Sequence, residues 1–509
     1  MIRGSDVLYG VLAACMVVGP AWIGGDLAGG AEVHGHAWVQ WEATACWPAW
    51  PARLPLAGGT WSVIDPLPTW IAAGISRIVG PVHAWNALMA GSLTLAAVGG
   101  GALVRAAGGV GAIGAIGLAF APPLLGALGS GLTEDGALGW VALGLAALIE
   151  RRHVLAGALL GTATLCGLVV GWIGAVAALG IAVHRVCVER ESWRGALRGP
   201  LVAAGVALPL TLAALAPHRQ GLADDHLRVQ PGPPPHEAAW RLNPTRGADL
   251  ASFFAPRPEP ARPVTSPTAP PGTAWVEQPG REHPVYLGVV LLALAACAGR
   301  HPAWVGLVAA LVLAPGGTLT WMGAPLGLDN PLYTLARTVP GVSGVHHAAR
   351  LMLGGQLALL VLAGRGAARL VVRFPALPHR AHLAVLLEVL LFAPARVPMA
   401  RTPAASPSIY AAIATLPDGP ASVAGAAGPG RSPQKVFYDR RAHGRALLHD
   451  PNTPRDGRPI PGSVFVVLGA PGSGPRAQAE RRLGPPRVAT VDGAAWWIDG
   501  APAIEAPAP

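Results

Sequence analysis

Few residues in this 509-residue chain could do chemistry, and they gather at the ends of apolar runs. "GGDLAGGAEVHGHAW", Gly24–Trp38, follows the first such run and carries Asp26, Glu32, His34 and His36. "SGLTEDGALGW" sets Glu134 and Asp135 just ahead of another, and "VPGVSGVHHAARL" leads into a third with His346, His347 and Arg350. Ionisable groups are costly in hydrocarbon, so at span ends they should face water or a site. Two carboxylate clusters facing each other would suit a donor with a phosphate leaving group. Asp26 could deprotonate an incoming hydroxyl, while Glu134 and Asp135 hold a divalent ion or a second hydroxyl. Arg350, with His346 beside it, could grip a lipid-linked phosphate.

Each assignment has a plainer counterpart. Asp26 could merely cap the segment that follows it. Thr133 could cap the next helix, with Glu134 and Asp135 favouring the positive end of its dipole. Arg350 could snorkel to lipid head groups. Glu32, His34 and His36 alternate, so they would share a face only in extended chain. An exposed "HGH" is usually solvated loop; as metal ligands, His34 and His36 stand with Glu134 and Asp135 as candidates. The expected cofactor, if any, is a divalent cation, Mg2+ or Mn2+.

The elements that position these residues are membrane spans. The chain is 52% hydrophobic and only 13% charged, about half the charge of an ordinary soluble domain. Gly 67 and Pro 52 sit largely among Ala, Leu and Val, as membrane helices tolerate. Apolar stretches near 7–23, 82–104, 110–128, 136–149, 154–169, 172–186, 200–216, 285–298, 303–313, 349–372 and 381–393 predict about eleven spans. With the N-terminus cytoplasmic, the short gaps holding Arg105, Arg151, Arg152, "HRVCVERESWRGALR", Arg300, Arg373 and Arg380 fall inside. The long loops 24–81, 218–284 and 316–347 and the C-terminal tail then fall outside, as the positive-inside rule expects. "LAAC", Leu12–Cys15, resembles a lipoprotein cleavage box, but it recurs at Leu294–Cys297 and its apolar run continues, so the segment is kept as a span.

The expected fold class is therefore an all-α polytopic membrane bundle over 1–396. A small α+β or β-rich extracytoplasmic domain follows over 397–509, where "GSVFVVLG" and "RVATVDGAAWWID" read as strands and Ile409–Thr415 as a helix. "HAWVQWEATACW" predicts a tryptophan-anchored helix along the interface. Pro-rich "VQPGPPPHEA" and "APRPEPARPVTSPTAPPG" should be extended, and "APAIEAPAP" disordered.

The +10 formal charge comes with no basic stripe among exposed aromatics, so nucleic acid is not an expected partner. Five scattered cysteines form neither a disulfide framework nor a CxxC pair. "GVGAIG", Gly109–Gly114, matches a dinucleotide fingerprint formally but opens an apolar span; its glycines suit close helix packing. "GAPGSGPR" has Pro475 where a phosphate loop needs lysine, and reads as a turn. Glu388 is the lone acid within a span and has no evident partner in the sequence.

The order of features resembles bacterial membrane glycosyltransferases of the GT-C type, especially the YfhO-like and related uncharacterised groups. It is carried by "HAWVQW", "PLAGGTWSVIDPLPTW", "VGPVHAWNAL", "AFAPPLLGALGSG", "NPTRGADLASFFAPRP", "HPVYLGVVLLALAA", "VPGVSGVHHAARLMLGGQLALLVLAGRG" and "RRAHGRAL", in that order over most of the chain. The resemblance implies a helical bundle with an outer-facing site in the bacterial inner membrane. It further implies a polyprenyl-(di)phosphate sugar donor among membrane lipids, and a base in the first outer loop, which by position is Asp26. Glu134–Asp135 matches the place of a second acidic motif. Where the resemblance would have R-x-P-x-R, this chain has His346, Ala348 and Arg350; its first-loop acid is single. The competing expectation is a non-enzymatic protein that handles or transports lipid-linked glycans or assembles the envelope.

Overall fold

The computed structural model describes residues 2–30, 33–51, 53–56, 59–223, 247–254, 285–321, 324–336, 348–374, 377–392, 397–424, 442, 445 and 462–499. Glu32, His346, His347, both proline-rich stretches and the last nine residues lie outside them.

Every predicted apolar stretch is helical at its centre. Among the described residues, five helical segments are long and apolar enough to cross a membrane: Pro81–Ala106, Gly111–Ser130, Leu168–Cys187, Trp193–Ala216 and Ala348–Val371. The chain is a multi-pass membrane protein on that count. The first predicted span is interrupted. Helix α1, Gly4–Val17, stops before Val18 and α2 covers only Gly19–Gly24, with Pro20 in its first turn. The 110–128 stretch likewise splits into α6, Gly111–Ala119, and α7, Pro122–Ser130, because Pro122 cannot donate into the preceding turn.

The 24–81 stretch, expected as an outer loop, is largely structured. It holds β1, Leu27–Ala28; α3, Val33–Cys46; the hairpin β2, Arg53–Leu56, with β3, Gly59–Ser62; and α4, Pro66–Val79. Then come the long α5, Pro81–Ala106, the pair α6–α7, a 3-10 turn at Thr133–Ala137, and α8, Leu138–Ile149. Helices α9, His153–Cys166, α10, Leu168–Cys187, and α11, Trp193–Ala223, follow. Beyond them are α12, Val289–Ala296; α13, Ala303–Leu313; the hairpin β4, Thr318–Trp321, with β5, Ala324–Asp329; and α14, Pro331–Ala336. A second 3-10 turn, Ala348–Leu351, opens α15, Met352–Val371, and α16 is Leu377–Phe392.

Helix α5 is the hub, packed against α1, α4, α6 and α8. Its triple glycine permits this: a Cβ on Gly100 would lie 2.2 Å from the carbonyl of Gly114 in α6, so the two backbones touch. The "GVGAIG" glycines are packing residues, as read. Glu388 has partners after all. Its carboxylate leaves α16 to accept from the Tyr286 hydroxyl at 2.7 Å, from Val290 N at 2.9 Å, and from Val289 N. It thereby satisfies orphan N–H groups at the start of α12.

The C-terminal segment pairs first with the bundle: β6, Arg401–Thr402, runs antiparallel to β1, and Met399 N donates to Val17 O at 2.9 Å. Helix α17, Ser408–Ala412, leads into a four-stranded sheet of order β7-β8-β10-β9. There β7, Ala421–Ala424, is parallel to β8, Ser463–Leu468, and β10, Gly493–Ile498, is antiparallel to β8 and β9, Val488–Ala489. "GAPGSGPR" is a turn that runs straight into α18, Gly474–Leu483, an element the sequence reading missed.

Candidate functional site

The site forms where α3, α4, the turn at Thr133–Ala137 and the turn at Ala348–Leu351 meet. After Gly131, which takes φ +101°, the chain cannot begin α8 directly and makes a 3-10 turn instead. That tight turn buries Thr133, Glu134 and Asp135 together. Gly167 makes room, since a Cβ there would stand 2.7 Å from Glu134 Cβ.

Arg350 closes the group from the opposite side of the chain. Its Nη2 donates to Glu134 Oε1 at 2.7 Å and its Nε lies 3.4 Å from Asp135 Oδ2. The Arg350 side chain is 12% exposed and that of Asp135 not at all, so this is an inward ion pair and not an arginine reaching for lipid head groups. The capping role for Thr133 also fails: no side-chain cap bond exists, and its hydroxyl donates to Asp65 Oδ2 instead.

Asp65 is the residue that sequence reasoning passed over. It sits in "WSVIDPLPTW", quoted above only for resemblance, and ends buried at the N-cap of α4 with Thr69 Oγ1 donating to it at 3.2 Å. The signal was available, because Asp before Pro-Leu-Pro is a helix start, but nothing local says that its carboxylate turns inward. His36 Nδ1 lies 3.7 Å from Asp65 Oδ2 and 3.3 Å from Thr133 Oγ1. Because 33–46 is helical and not extended, His34 and His36 point apart. His34 Nε2 contacts Pro403 O at 3.2 Å, away from the acids, so it drops out as a ligand beside His36.

The electrostatics split the two acids of the turn. Burial pushes Glu134 up, but the Arg350 charge, with His36 and the residue's own backbone N–H, outweighs it and holds the carboxyl below its ordinary range. Asp135 is pushed up to about 7, by burial first and by the neighbouring Glu134 charge, against the pull of Arg350. One group is a fixed anion; the other exchanges a proton near neutrality.

Asp26 is held apart from this cluster. Its backbone carbonyl accepts from Asn86 Nδ2 at 2.8 Å, its N–H donates to Ala21 O at 3.0 Å, and Asn86 Oδ1 accepts from Ala28 N at 2.9 Å. The carboxylate itself is half-buried and has no hydrogen bond or ion pair among the described residues, so the capping role is not seen. Gly30 N donates to Gly129 O at 2.6 Å, tying the Asp26 segment to the end of α7, from which the Glu134 turn departs. The starts of the 136–149 and 349–372 stretches meet directly, through Glu134, Asp135 and Arg350. The end of the 7–23 stretch is linked to them through backbone.

No protein-family model and no curated protein matches the chain. Among solved structures, 96% of the chain aligns with 96% of ArnT from Cupriavidus metallidurans bound to undecaprenyl phosphate, at 14% identity and a TM-score of 0.47. It aligns over 91% of its length with the arabinofuranosyltransferase AftD from Mycobacteria, at 14% identity and a TM-score of 0.49, and spans only 36% of that chain. Similarity to the Archaeoglobus fulgidus oligosaccharyltransferase is 11% in identity over 88% of this chain and 65% of that one, with a TM-score of 0.44.

Proposed function

We propose that this chain is a membrane glycosyltransferase of the GT-C type. It would move a sugar from a polyprenyl-(di)phosphate donor to a hydroxyl acceptor at the outer face of a bacterial inner membrane. The observation that carries the reading is the inward contact of Arg350 with Glu134 and Asp135. A guanidinium held at the end of one long apolar helix by two buried acids of another suits an anionic head group delivered from the membrane.

In this reading the acceptor oxygen forms the new bond to the sugar's anomeric carbon and gives its proton to Asp26. The bond from that carbon to phosphate oxygen breaks, its electron pair stays on the phosphate, and Arg350 neutralises the charge that develops there. Asp26 would be the base: among the described residues its carboxylate has no hydrogen bond or ion pair, and its backbone is held by Asn86 and the β1–β6 pairing. Glu134 keeps Arg350 oriented, and Asp135 can carry a proton near neutral pH. His346 would join Arg350 on the phosphate. A divalent cation belongs to the reading. His36, Asp65 and Glu134 each offer a ligand atom, all within 4.8 Å of one another, and such an ion would add charge stabilisation at the leaving phosphate. The topology proposed with it has about eleven spans, a cytoplasmic N-terminus, and the C-terminal sheet outside.

The test is transfer from radiolabelled polyprenyl-phosphate and polyprenyl-diphosphate sugars in proteoliposomes. Asp26→Asn and Asp26→Ala should each lose at least about 10²-fold in transfer rate with an unchanged melting temperature. Full activity in Asp26→Asn removes the base assignment. A protein that only handles lipid-linked glycans would show no turnover with any donor.

A further inference from the structure

The His36–Asp65–Glu134 cluster has a feature that the transfer step alone does not require. Glu134 Oε1 accepts from Arg350, while Oε2 is buried with no hydrogen-bond partner among the described residues. Orphaned buried carboxylate oxygens are uncommon and unfavourable. The other two donors are already drawn together, because the Thr133 hydroxyl donates to Asp65 and stands 3.3 Å from His36 Nδ1. Three side chains from three elements thus face one point. Ligands of one small dication, at roughly 2.1 Å each, lie about 3–3.5 Å apart, so closing the 4.8 Å cluster takes a shift of about an ångström.

We propose that His36, Asp65 and Glu134 bind a transition-metal dication that shares Glu134 with Arg350, so that cation binding loosens Arg350 from the acids and turns it toward an anionic ligand. The donor set decides the class of ion. One imidazole and two carboxylates suit Mn2+, Fe2+, Co2+ or Zn2+, whereas Mg2+ and Ca2+ favour oxygen-only shells. A cation on Glu134 would stand roughly 5–7 Å from the guanidinium, where two like charges in a buried site repel. Glu134 and Asp135 hold the Arg350 guanidinium and Asp65 offers a carboxylate oxygen within 4.8 Å of one from Glu134, so a dication brings charge that the site accommodates, and Arg350 becomes the more weakly held partner. The coupling must be reciprocal: an anion that draws Arg350 away strengthens cation binding by the same factor. That the anion is a lipid-linked phosphate rests on the function proposed above; the cation site does not.

Mn2+ binding to the purified full chain in detergent, read from the electron paramagnetic resonance of free Mn2+, tests this without any transfer assay. The wild type should bind Mn2+ in preference to Mg2+, and Asp65→Asn, Glu134→Gln and His36→Ala should each lose at least about tenfold in affinity. Arg350→Gln should bind Mn2+ on the order of tenfold or more tighter than the wild type, and Arg350→Lys, which keeps the charge, should stay near it. A short-chain polyprenyl phosphate should tighten Mn2+ binding to the wild type and leave Arg350→Gln unmoved. If Arg350→Gln folds poorly, Mn2+ should raise its melting temperature more than that of the wild type. Equal or weaker binding in Arg350→Gln overturns the shared-carboxylate device, and no Mn2+ binding in either protein overturns the cation site. Failure of transfer with Mn2+ binding as expected would overturn only the proposed function.

Discussion

Replacing Asp135 with Asn should make the protein more stable at high pH and nearly unchanged at low pH. Asp135 is fully buried and its pKa stands at about 7 in place of the ordinary 3.8. A carboxyl whose folded pKa is raised binds more protons folded than unfolded. Stability is therefore fully present below pH 3.8 and declines as pH rises through 7. The raised pKa corresponds to about 4 kcal/mol against the folded anion once pH exceeds 7, of which roughly 3 kcal/mol accrues between about pH 5 and pH 8.5. Asparagine carries no such penalty and keeps the size of the protonated acid. Asp135→Asn should melt within a degree or two of the wild type at about pH 5, and several degrees higher at about pH 8.5. Thermal melts in detergent across that range measure the difference. Infrared difference spectra should show a protonated carboxyl that titrates near neutrality and is missing from the variant. A variant less stable at every pH, by a constant amount, would mean that Asp135 is an ordinary ionised partner of Arg350, and the argument from burial would be wrong.

Arg350→Gln leaves Glu134 and Asp135 buried without their cation, and should lower stability by roughly 3–5 kcal/mol near neutral pH, less in acid. The same melts measure it; a loss below about 1 kcal/mol would place the pair among solvated ones. Glu388→Ala strips the N-terminus of α12 of its acceptor and orphans the Tyr286 hydroxyl, for an expected loss of about 2 kcal/mol, partly restored by Glu388→Gln. Gly114→Ala would place a methyl 2.2 Å from Gly100 O and should destabilise by about 1–3 kcal/mol as α5 and α6 are forced apart, whereas Gly91→Ala, which meets nothing within 4 Å, should be neutral.

The helices were legible because hydrocarbon demands long apolar runs, and each run from "VLYGVLAACMVVG" to "AHLAVLLEVLLFA" is helical at its centre. Their breaks were less so. Pro20 and Pro122 follow Val18 and the Phe120–Ala121 step, but membrane helices tolerate proline, so its presence alone does not fix a break. In the site, Glu134, Asp135 and Arg350 were visible as charges at span ends. Their pairing joins residues 216 apart in sequence, which no local pattern encodes. Asp65 escaped because "DPLPTW" marks a helix start but says nothing of a carboxylate turned inward. His34 and His36 stand together as candidates in the sequence although they share a face only in extended chain; the structure makes a helix that sends the two rings to different partners.

Why the acids and the arginine lie on 3-10 turns, and not within α8 or α15, follows from the geometry of helix ends. A charged side chain in mid-span would sit among apolar neighbours with no competing polar group. The tighter turns at Thr133–Ala137 and Ala348–Leu351 carry their charges to a place that His36 on α3 and Asp65 at the N-cap of α4 also reach. His36 and Asp65 meet each other and Thr133 there, so they and the acids of the turn form one set of contacts. Pairing of β1 with β6 then pins the C-terminal segment beside Asp26, with Thr402 Oγ1 donating to Gly29 O at 2.6 Å. If a cation shifts Arg350 as proposed, the change reaches His36 and Asp65 through Glu134. On this account the charge gathered at the turns, and not the apolar bundle, decides when the site is ready.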